Sequence, residues 1–498
     1  LFAGLDADQG SSVLLDGMVS AMVAGAAPSD SLLIESGRSI GRQMKSLGFQ
    51  LAFTPNMDLD VPGKGSSVAY RYFSDDKEVL FRKASALVNG IQQEGAIAVV
   101  KHLPGLSEEE NAKNFLSSLP AMVPDTLSFL PVSQLLEYGA GGINTAYLHL
   151  GFRQNNNKAV PAAMAQLFLN DHIRRKLGYG GLLITEGSFL ASVSGKRRGE
   201  MEKFAFQLGY DMIIGPASPE RAIRKISRLV KGKKEYTTRL NESVRRILAA
   251  KYNAGLRTEK HNGKVPGVAE QYHAKALHTA IASSAVTVIN NNLNRLPVRM
   301  IDNRTFHLID FGGFSSGFAG MLERYVPFQQ VRIRKDGNAT GFSPAANDVV
   351  IAAVTDASDL KAPEVAAWLK RLRPDVELVI VHAGNPADLI SFSDFPSVLE
   401  GYHPVDTERF LPQVLFGALS ATGTLPVRIP GIDHHTDELP AIGRLSFTEP
   451  ELAEMDPSVL DGIDSIATEA ITSGATPGCR VLIARHGQVV FDRSYGWL

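Results

Sequence analysis

Six polar residues lie at or just beyond the ends of short apolar runs in the first half of the sequence. The run at 1–5 is followed by Asp6, the run at 49–53 shortly by Asp58, the run at 96–100 by Lys101 and His102, the run at 182–185 by Glu186, and the run at 143–148 by His149. Carboxylate and imidazole groups transfer protons or attack as nucleophiles, and charged groups bind polar ligands. The set is therefore a candidate site if the fold brings its members together.

The apolar runs alternate with helical patterns. A sixth run lies at 212–214, and helical patterns follow Asp76, Pro161 and Ser218, the last with a predicted serine cap. This alternation predicts parallel βαβ units with right-handed crossovers. In a parallel α/β barrel the carboxyl ends of all strands share one rim, where active sites lie. The polar residues are predicted to converge there, with simple capping of strand ends as the alternative for each one.

The fold class predicted is α/β. A closed barrel has eight strands and the sequence shows six, and the chain opens at Leu1 without a methionine. We therefore predict a TIM-type (β/α) barrel over 1–256 that is truncated at its amino end, with its first two strands missing before Leu1.

The rest of the sequence has a different organisation. After a polar linker at 257–273, apolar runs and helical patterns alternate again and predict an α/β layered sandwich domain at 274–440. From 441 to 498 the pattern predicts an incomplete α+β segment, with a capped helix and then a hairpin that turns at His486 and Gly487.

Composition excludes several classes of partner and site. Lys plus Arg number 51 and Asp plus Glu 52, so no net charge favours nucleic acid or an anionic membrane. The single Cys479 cannot form an intramolecular disulfide or a multi-cysteine zinc site, and no run approaches the roughly 18 apolar residues of a membrane span. The stretch DHHTDE at 433–438 lacks metal-ligand spacing, so no metal ligand is predicted.

Seven motifs in order resemble family 3 glycoside hydrolases, and most closely the branch that cleaves β-N-acetylhexosaminides. They are LDADQG (5–10), FTPNMDLD (53–60), YRYFSDD (70–76), VVKHLPG (99–105), YLHL (147–150), GYGGLLITEGSFL (178–190) and LGYDMIIGP (208–216). The segment LPVRIPG at 425–431 resembles part of that family's second domain. The resemblance implies a retaining glycosidase that needs neither a metal nor an organic cofactor.

The resemblance also assigns roles to residues in the matching motifs. It implies that one pyranose is bound by a polar ring of Asp6, Arg71, Lys101, His102 and His149. Asp58 matches an acidic position that supports this ring. Asp211 lies in a Gly-x-Asp pattern, for which a structural cap is the favoured interpretation.

The residues that carry out the chemistry depart from the family pattern. Where the family has Ser-Asp with the aspartate as nucleophile, this sequence has Thr185 and Glu186. The extra methylene moves the carboxylate by about 1.5 Å, and a misplacement near 1 Å costs on the order of 10²-fold in rate. The loop at 106–120 contains no histidine to act as acid, so the remaining candidates are Glu108, Glu109 and Glu110, or these belong only to a solvated loop.

The last region, 463–496, resembles the opening helix and hairpin of serine β-lactamase and penicillin-binding-protein-like hydrolases. The catalytic Ser-x-x-Lys of that family would lie beyond Leu498. Pairing such a domain with a cell-wall glycosidase predicts a location in the periplasm or at the surface of a bacterium, with peptidoglycan or glycan fragments as ligands.

Two functions remain open from the sequence. The first is an exo-glycosidase that removes terminal β-linked N-acetylhexosamine with Glu186 as nucleophile. The second is a catalytically degenerate barrel that binds a sugar or serves as a scaffold for the serine hydrolase domain behind it. In both, the predicted partner is a small carbohydrate and not a nucleic acid.

Overall fold

The computed structural model describes residues 2–7, 15–58, 69–103, 129–145, 153–154, 158–159, 168–186, 199–256, 264–333, 342–358, 360–372, 374–433 and 438–497. The chain forms two compact units. The first contains residues 1–266 together with Pro426–Pro430, and the second contains Gly267–Leu425 together with Gly431–Leu498. None of the helices within these described ranges combines the length and the apolar character that crossing a membrane requires.

The first unit is built on a curled parallel sheet of six strands, which confirms the predicted α/β class with a barrel-type sheet. Its strands, in both sheet order and chain order, are β1 (Gly4–Asp6), β2 (Leu51–Phe53), β3 (Ile97–Leu103), β4 (Gly142–Thr145), β7 (Leu182–Glu186) and β8 (Met212–Ile214). Each coincides with one of the six apolar runs. A separate ladder pairs β5 (Arg153–Gln154) with β6 (Lys158–Ala159).

One face of this sheet, here called the inner face, carries a continuous apolar core. The core contains Leu51, Ile97, Val99, Leu182 and Ile184, and residues of the helix Lys234–Asn253 pack against it. Alternate residues of a strand point to the same face. The polar residues that continue the same alternation toward the carboxyl ends of the strands therefore share this face.

Helices in the first unit follow the predicted pattern in most places. They are Ala21–Ala26, Asp30–Leu47, Lys77–Gln93, Phe129–Tyr138, Glu200–Leu208, Pro219–Gly232 and Lys234–Asn253, with a 3-10 helix at Ala69–Arg71 and a π-helix at Phe168–Lys176. Asp76 caps the third of these by accepting from the amides of Glu78 and Val79. Ser218 occupies the predicted N-cap position and Pro219 the first helical position, but the Ser218 side chain makes no capping hydrogen bond.

The second unit has a six-stranded sheet of mixed direction. In chain order its strands are β9 (Thr287–Asn291), β10 (Phe306–Asp310), β11 (Phe328–Arg332), β12 (Val349–Thr355), β13 (Glu377–Ala383) and β14 (Ser397–Glu400). The sheet order is β11-β10-β12-β13-β14-β9, with β9 antiparallel to β14 and the other pairs parallel. The accompanying helices are Val268–Ala285, Ser316–Glu323, Ala362–Leu369, Pro386–Phe392 (3-10), Pro404–Thr407 and Leu411–Leu415.

One helical pattern in this unit was interpreted wrongly. The sequence from Thr407 to Ala421 predicts one helix, but the structure has only Pro404–Thr407 and Leu411–Leu415. Pro412 lies in the first turn of the helix Leu411–Leu415, the position that proline favours. Gly417, with φ of 70°, adopts the left-handed conformation that ends a helix. Both residues shorten the helices.

The final residues form a helix and a hairpin within the second unit. The helix Pro457–Thr472 is capped by Asp456, and it follows β15 (Ser446–Phe447) and a 3-10 helix, Pro450–Ala453, where the sequence predicts one continuous helix. Strands β16 (Gly478–Arg485) and β17 (Gln488–Gly496) are antiparallel. His486 and Gly487 both have positive φ, which is typical of a two-residue hairpin turn and confirms the predicted turn.

Candidate active site

An ion pair joins the ends of β1 and β3. The Lys101 Nζ lies 2.9 Å from the Asp6 Oδ1, and the lysine side chain is 4% exposed whereas the aspartate side chain is 66% exposed. A buried ammonium group requires a counter-charge, which Asp6 supplies. The open side of the Asp6 carboxylate remains accessible to a ligand at the rim.

A second pair, between His102 and Asp58, lies beside the first. The chain after β2 runs along the end of β3, where the Lys101 amide donates to the Pro55 carbonyl at 3.0 Å. This path brings the buried Asp58 carboxylate within 2.9 Å of the His102 Nδ1. A carboxylate at Nδ1 favours a proton on that nitrogen and so fixes which edge of the ring, Nε2, is left for a ligand.

Glu186, the predicted nucleophile, is the last residue of β7 and is half-buried. Its Oε1 accepts a hydrogen bond of 3.1 Å from the Asn144 Nδ2. Asn144 lies on β4, fully buried, and is paired in register with Lys101 on β3. Asn144 therefore stands between the strand that carries the lysine and the strand that carries the glutamate.

The Lys101 and Glu186 side chains share the inner face. Glu186 continues the alternation of Leu182 and Ile184, and Lys101 continues that of Ile97 and Val99. Thr185, which directly precedes Glu186 on β7, belongs to the opposite face and is fully buried. The strand alternation thus separates Thr185 from the rim and directs Glu186 toward it.

Of the other predicted site residues, the structure describes only Arg71. Arg71 ends the 3-10 helix Ala69–Arg71 and is half-buried. His149 and the predicted acids Glu108, Glu109 and Glu110 lie outside the described residues. The predicted roles of these residues stay predictions.

Asp211 belongs to a structural network below the rim. Its side chain is excluded from solvent and accepts from Arg174, Ser243, Arg246 and the amide of Leu183. Burial lowers the pKa of Arg174 to about 10, although the Asp211 charge opposes this shift. These contacts tie the start of β7 to two helices, in agreement with the interpretation of Asp211 as a structural residue.

A cavity of about 520 Å³ lies elsewhere in this unit. It is lined by Ile97, Gly141 and Leu182, at the amino ends of β3, β4 and β7, and by Arg246 and Asn253 of a helix. Glu186 is at the other end of β7. The cavity is therefore separate from the candidate site.

Comparison with known proteins identifies the family. The model of the glycosyl hydrolase family 3 N-terminal domain matches residues 1–250, which is half of the 498 residues. The chain belongs to glycosyl hydrolase family 3.

Relatives of this family 3 chain are distant in sequence. A β-N-acetylglucosaminidase/β-glucosidase of Cellulomonas fimi is 25% identical over 275 residues, covering 52% of this chain and 48% of that protein. A β-hexosaminidase of Nitrosomonas eutropha is 25% identical over 192 residues, covering 37% of this chain and 53% of that protein. The chain thus spans about half the length of these curated relatives.

Solved structures of the family share the fold. The structure of a family 3 β-N-acetylglucosaminidase from Paenibacillus sp. str. FPU-7 aligns with a TM-score of 0.64 at 20% identity, over 86% of either chain. The likeness extends well beyond residues 1–250, so it includes part of the second unit.

The site of this family 3 chain contains residues that the sequence analysis did not identify. Asn144 hydrogen-bonds Glu186, and the Asn56 side chain accepts from the Asp58 amide at 2.8 Å. The signal for Asn144 was an amide within an otherwise apolar, buried strand, since a buried polar group must have a partner. For Asn56, which precedes Asp58 in a loop, the sequence offered no such signal.

Proposed function

We propose that this family 3 protein is a retaining exo-glycosidase that removes terminal β-linked N-acetylhexosamine, with Glu186 as the nucleophile. The observation that carries the proposal is the placement of the Glu186 carboxylate on the inner face at the rim, held by Asn144. A retaining mechanism requires a fixed carboxylate that attacks the anomeric carbon and forms a glycosyl-enzyme intermediate. The named activities of the two relatives support the choice of sugar.

The Asp6, Lys101, Asp58 and His102 side chains form the sugar-binding part of the proposed site. Hydroxyl groups of a pyranose can donate hydrogen bonds to the Asp6 carboxylate and to the His102 Nε2. Lys101 places a positive charge at the rim and is held in position by Asp6. Arg71 and His149 complete the proposed ring.

The proposed acid comes from the loop at 106–120. Glu108, Glu109 and Glu110 are its candidates, because a carboxylic acid whose pKa is raised in an apolar site can protonate the leaving oxygen. Among the three, a single residue is expected to carry this role.

The second candidate function is a sugar-binding or scaffold domain without catalysis. It is favoured by two features of the sequence, the glutamate in place of the family's aspartate at 186 and the absence of histidine from 106–120. A barrel with an altered nucleophile and without the histidine acid could keep the Asp6–Lys101 and Asp58–His102 pairs for binding.

The deciding experiment is hydrolysis of an aryl β-N-acetylglucosaminide by the complete gene product. The parent is compared with Glu186→Gln and with a variant in which Glu108, Glu109 and Glu110 are all glutamine. The matched control is Glu137→Gln, which changes an exposed glutamate on the helix Phe129–Tyr138. Glycosidase function predicts that Glu186→Gln lowers kcat by about 10³-fold or more while the control is unchanged, a loss of about 4 kcal/mol of transition-state stabilisation.

Two further measurements separate the candidates. A fluorinated N-acetylglucosaminide that traps the glycosyl-enzyme should add its mass to the peptide that contains Glu186 in a retaining enzyme. A parent that is as slow as Glu186→Gln, is not labelled, and still binds N-acetylglucosamine would establish the non-catalytic alternative.

We also propose that residues 441–498 begin a serine β-lactamase-like hydrolase domain and that the protein acts on peptidoglycan or glycan fragments in the bacterial periplasm or at the cell surface. The helix Pro457–Thr472 followed by the β16–β17 hairpin supports the first part. Recovery of the complete product in the cytoplasmic fraction of its source cells would contradict the location. A gene without Ser-x-x-Lys after residue 498 would contradict the hydrolase.

A further inference from the structure

Three metal-ligating side chains meet in the second unit, away from the proposed glycosidase site. Asp356 follows β12, His382 is the penultimate residue of β13, and Asp388 lies in the 3-10 helix Pro386–Phe392. One potential ligand atom from each of the three lies within 4.8 Å of the others. The carboxyl ends of the parallel strands β12 and β13 bring these residues together.

His382 is the centre of this cluster. It is completely buried, and its Nδ1 hydrogen-bonds the Glu400 carboxylate, which is also completely buried. Within the part of the chain that the structure describes, the His382 Nε2 has no hydrogen-bond partner. A buried nitrogen without a partner costs free energy, so this one indicates a ligand.

Glu400 fixes which nitrogen is available. One of its carboxylate oxygens accepts from the Tyr402 amide and the other is paired with the His382 Nδ1. A carboxylate that holds one nitrogen of an imidazole while the other binds the ion is the usual support of a metal-bound histidine. Nε2 is therefore the nitrogen of His382 that is left for an ion.

The chain also makes room for the Asp356 carboxylate. Its Oδ1 accepts from the Asn385 amide at 2.7 Å, and a Cβ atom on Gly384 would come within 2.4 Å of the same oxygen. Only glycine at 384 permits this approach. The same Asn385 caps the 3-10 helix through the Ala387 amide, which positions Asp388 one turn further on.

The charges around His382 favour a bound cation. Burial lowers the pKa of His382, but the Glu400, Asp356 and Asp388 carboxylates together outweigh burial and raise it. Burial and Asp356 raise the pKa of Asp388, and together they outweigh His382 and Lys361, which lower it. Three carboxylates thus face one imidazole and the ammonium group of Lys361, an exposed residue, which leaves negative charge to be neutralised.

We propose that Asp356, His382 and Asp388 bind a divalent transition-metal ion, with Zn²⁺ as the ion that this donor set favours. One imidazole nitrogen and two carboxylate oxygens are typical zinc ligands, and a fourth position would be left for water. The inference is independent of catalysis in the first unit. No sequence motif contained these ligands, because 356, 382 and 388 follow no compact spacing pattern.

The spacing of the ligand atoms is compatible with such an ion. Two ligands bonded to a tetrahedral zinc at about 2.1 Å are separated by about 3.4 Å. The 4.8 Å limit of the cluster therefore requires the ligand atoms to approach one another by at most about 1.4 Å. Rotation of the exposed Asp356 and half-buried Asp388 side chains supplies it. Binding would tie the loop after β12 to the segment after β13.

The test uses the complete chain without a polyhistidine tag, freed of metal with a chelator. Equilibrium dialysis against Zn²⁺ should give one tightly bound ion per chain, and Co²⁺ in its place should give the visible absorption of a protein-bound, low-symmetry site. Thermal unfolding is expected at a higher temperature with Zn²⁺ than without it, since a ligand that binds only the folded state stabilises it.

Asp388→Asn and Asp356→Asn remove one ligand charge each with little change in shape, so they avoid the folding risk of replacing the buried His382. Either should weaken Zn²⁺ binding by at least about tenfold, since even supporting residues of metal sites contribute 10- to 100-fold. Asp394→Asn is the matched control, because Asp394 is an exposed carboxylate on the same segment that pairs with Lys370.

Two results would overturn the assignment. One is a parent chain that binds no Zn²⁺ at micromolar concentration. The other is binding of equal affinity and stoichiometry in the parent and in Asp388→Asn, which would place the ion on other histidines of the chain.

Discussion

At the scale of single residues, the site is organised in pairs in which a buried group positions an accessible one. Asp58 is buried and holds His102, and the buried Asn144 holds Glu186. The Asp6–Lys101 pair is reversed, with the lysine buried and the aspartate open. In each pair the buried partner fixes the orientation of the accessible one, and the accessible side chains are Asp6, His102 and Glu186.

The Asp58–His102 pair leads to a prediction about sugar affinity. Asp58→Asn keeps the size of the side chain but removes the charge that fixes the proton on the His102 Nδ1. We expect the Kd for N-acetylglucosamine to rise about tenfold, equivalent to about 1.4 kcal/mol. Titration calorimetry measures the effect whether or not the barrel is catalytic.

The control for Asp58→Asn is Glu137→Gln, which changes an exposed carboxylate far along the chain from the motif. Thermal unfolding of both variants establishes that the fold is retained. Unchanged affinity in a folded Asp58→Asn protein would contradict the role of His102 as a sugar ligand positioned by Asp58.

At the scale of elements, the sequence predicted those parts of the fold that depend on local patterns. The six strands of the first sheet appear at the apolar runs because a strand buried on both faces must be continuously apolar. Strands β11 and β14 were not predicted. The first, Phe328–Arg332, contains two glutamines, and the second, Ser397–Glu400, is only four residues long.

Contacts between distant residues were beyond local patterns. His382 lies on β13 and Glu400 on β14, and only the sheet register, which pairs these two residues, brings them together. The rim residues were predictable because parallel strands place their carboxyl ends together, a consequence of topology alone. Asn144 was missed because its strand was predicted from apolar neighbours.

Asp211 shows how one side chain can join several elements. It accepts from the π-helix through Arg174, from the helix Lys234–Asn253 through Ser243 and Arg246, and from the amide of Leu183 on β7. Asp211→Asn would leave buried guanidinium groups without a counter-charge. We expect a loss of about 3 kcal/mol in the free energy of unfolding, measured by urea denaturation.

The comparison for Asp211→Asn is Glu220→Gln, an exposed acid in the first turn of the helix Pro219–Gly232. Its effect should stay within about 0.5 kcal/mol. Equal losses in the two variants would show that the arginine network does not depend on Asp211.

Asp406 connects two helices of the second unit and predicts a dependence of stability on pH. Burial raises the pKa of its carboxyl, but hydrogen bonds from His278 and His403 outweigh burial and hold the pKa well below 3.8. A lowered folded-state pKa stabilises the protein above the unfolded value, and this stabilisation is lost as the pH falls toward the folded value. The parent should therefore lose its advantage over Asp406→Asn below about pH 4.

The measurement is urea unfolding of the parent and of Asp406→Asn between pH 5 and pH 3. We expect a difference of about 2 kcal/mol at pH 5, as for a buried hydrogen bond to a charged group, and a smaller one at pH 3. Asp394→Asn, at an exposed position, should give a difference that does not vary over this range. A constant difference for Asp406→Asn would contradict the lowered pKa.

At the scale of the whole molecule, the chain returns to its first unit late in the sequence. Residues Pro426–Pro430 belong to that unit although the residues on either side belong to the second. The Ser74 hydroxyl donates to the Pro426 carbonyl at 2.6 Å, and Asp75 accepts from the Arg428 amide at 3.0 Å. The short segment is thus fastened to the motif at 70–76 that also contains Arg71.

The last prediction concerns this fastening. The Asp75 side chain is fully excluded from solvent and binds both the amide and the Nε of Arg428. Asp75→Ala should raise the hydrogen-exchange rate of the Arg428 amide about tenfold or more, because a hydrogen bond to a charged acceptor contributes about 1.5–3 kcal/mol. Arg428→Ala loses the hydrogen bond from the Nε of a mostly exposed side chain but keeps the amide donor, so it should change exchange far less. If Arg71 binds the sugar, Asp75→Ala should also raise the Kd for N-acetylglucosamine. Equal hydrogen-exchange rates of the residue 428 amide in both variants would mean that the Asp75 carboxylate does not hold the segment Pro426–Pro430. The position of the motif at 70–76 would then depend on the first 266 residues alone.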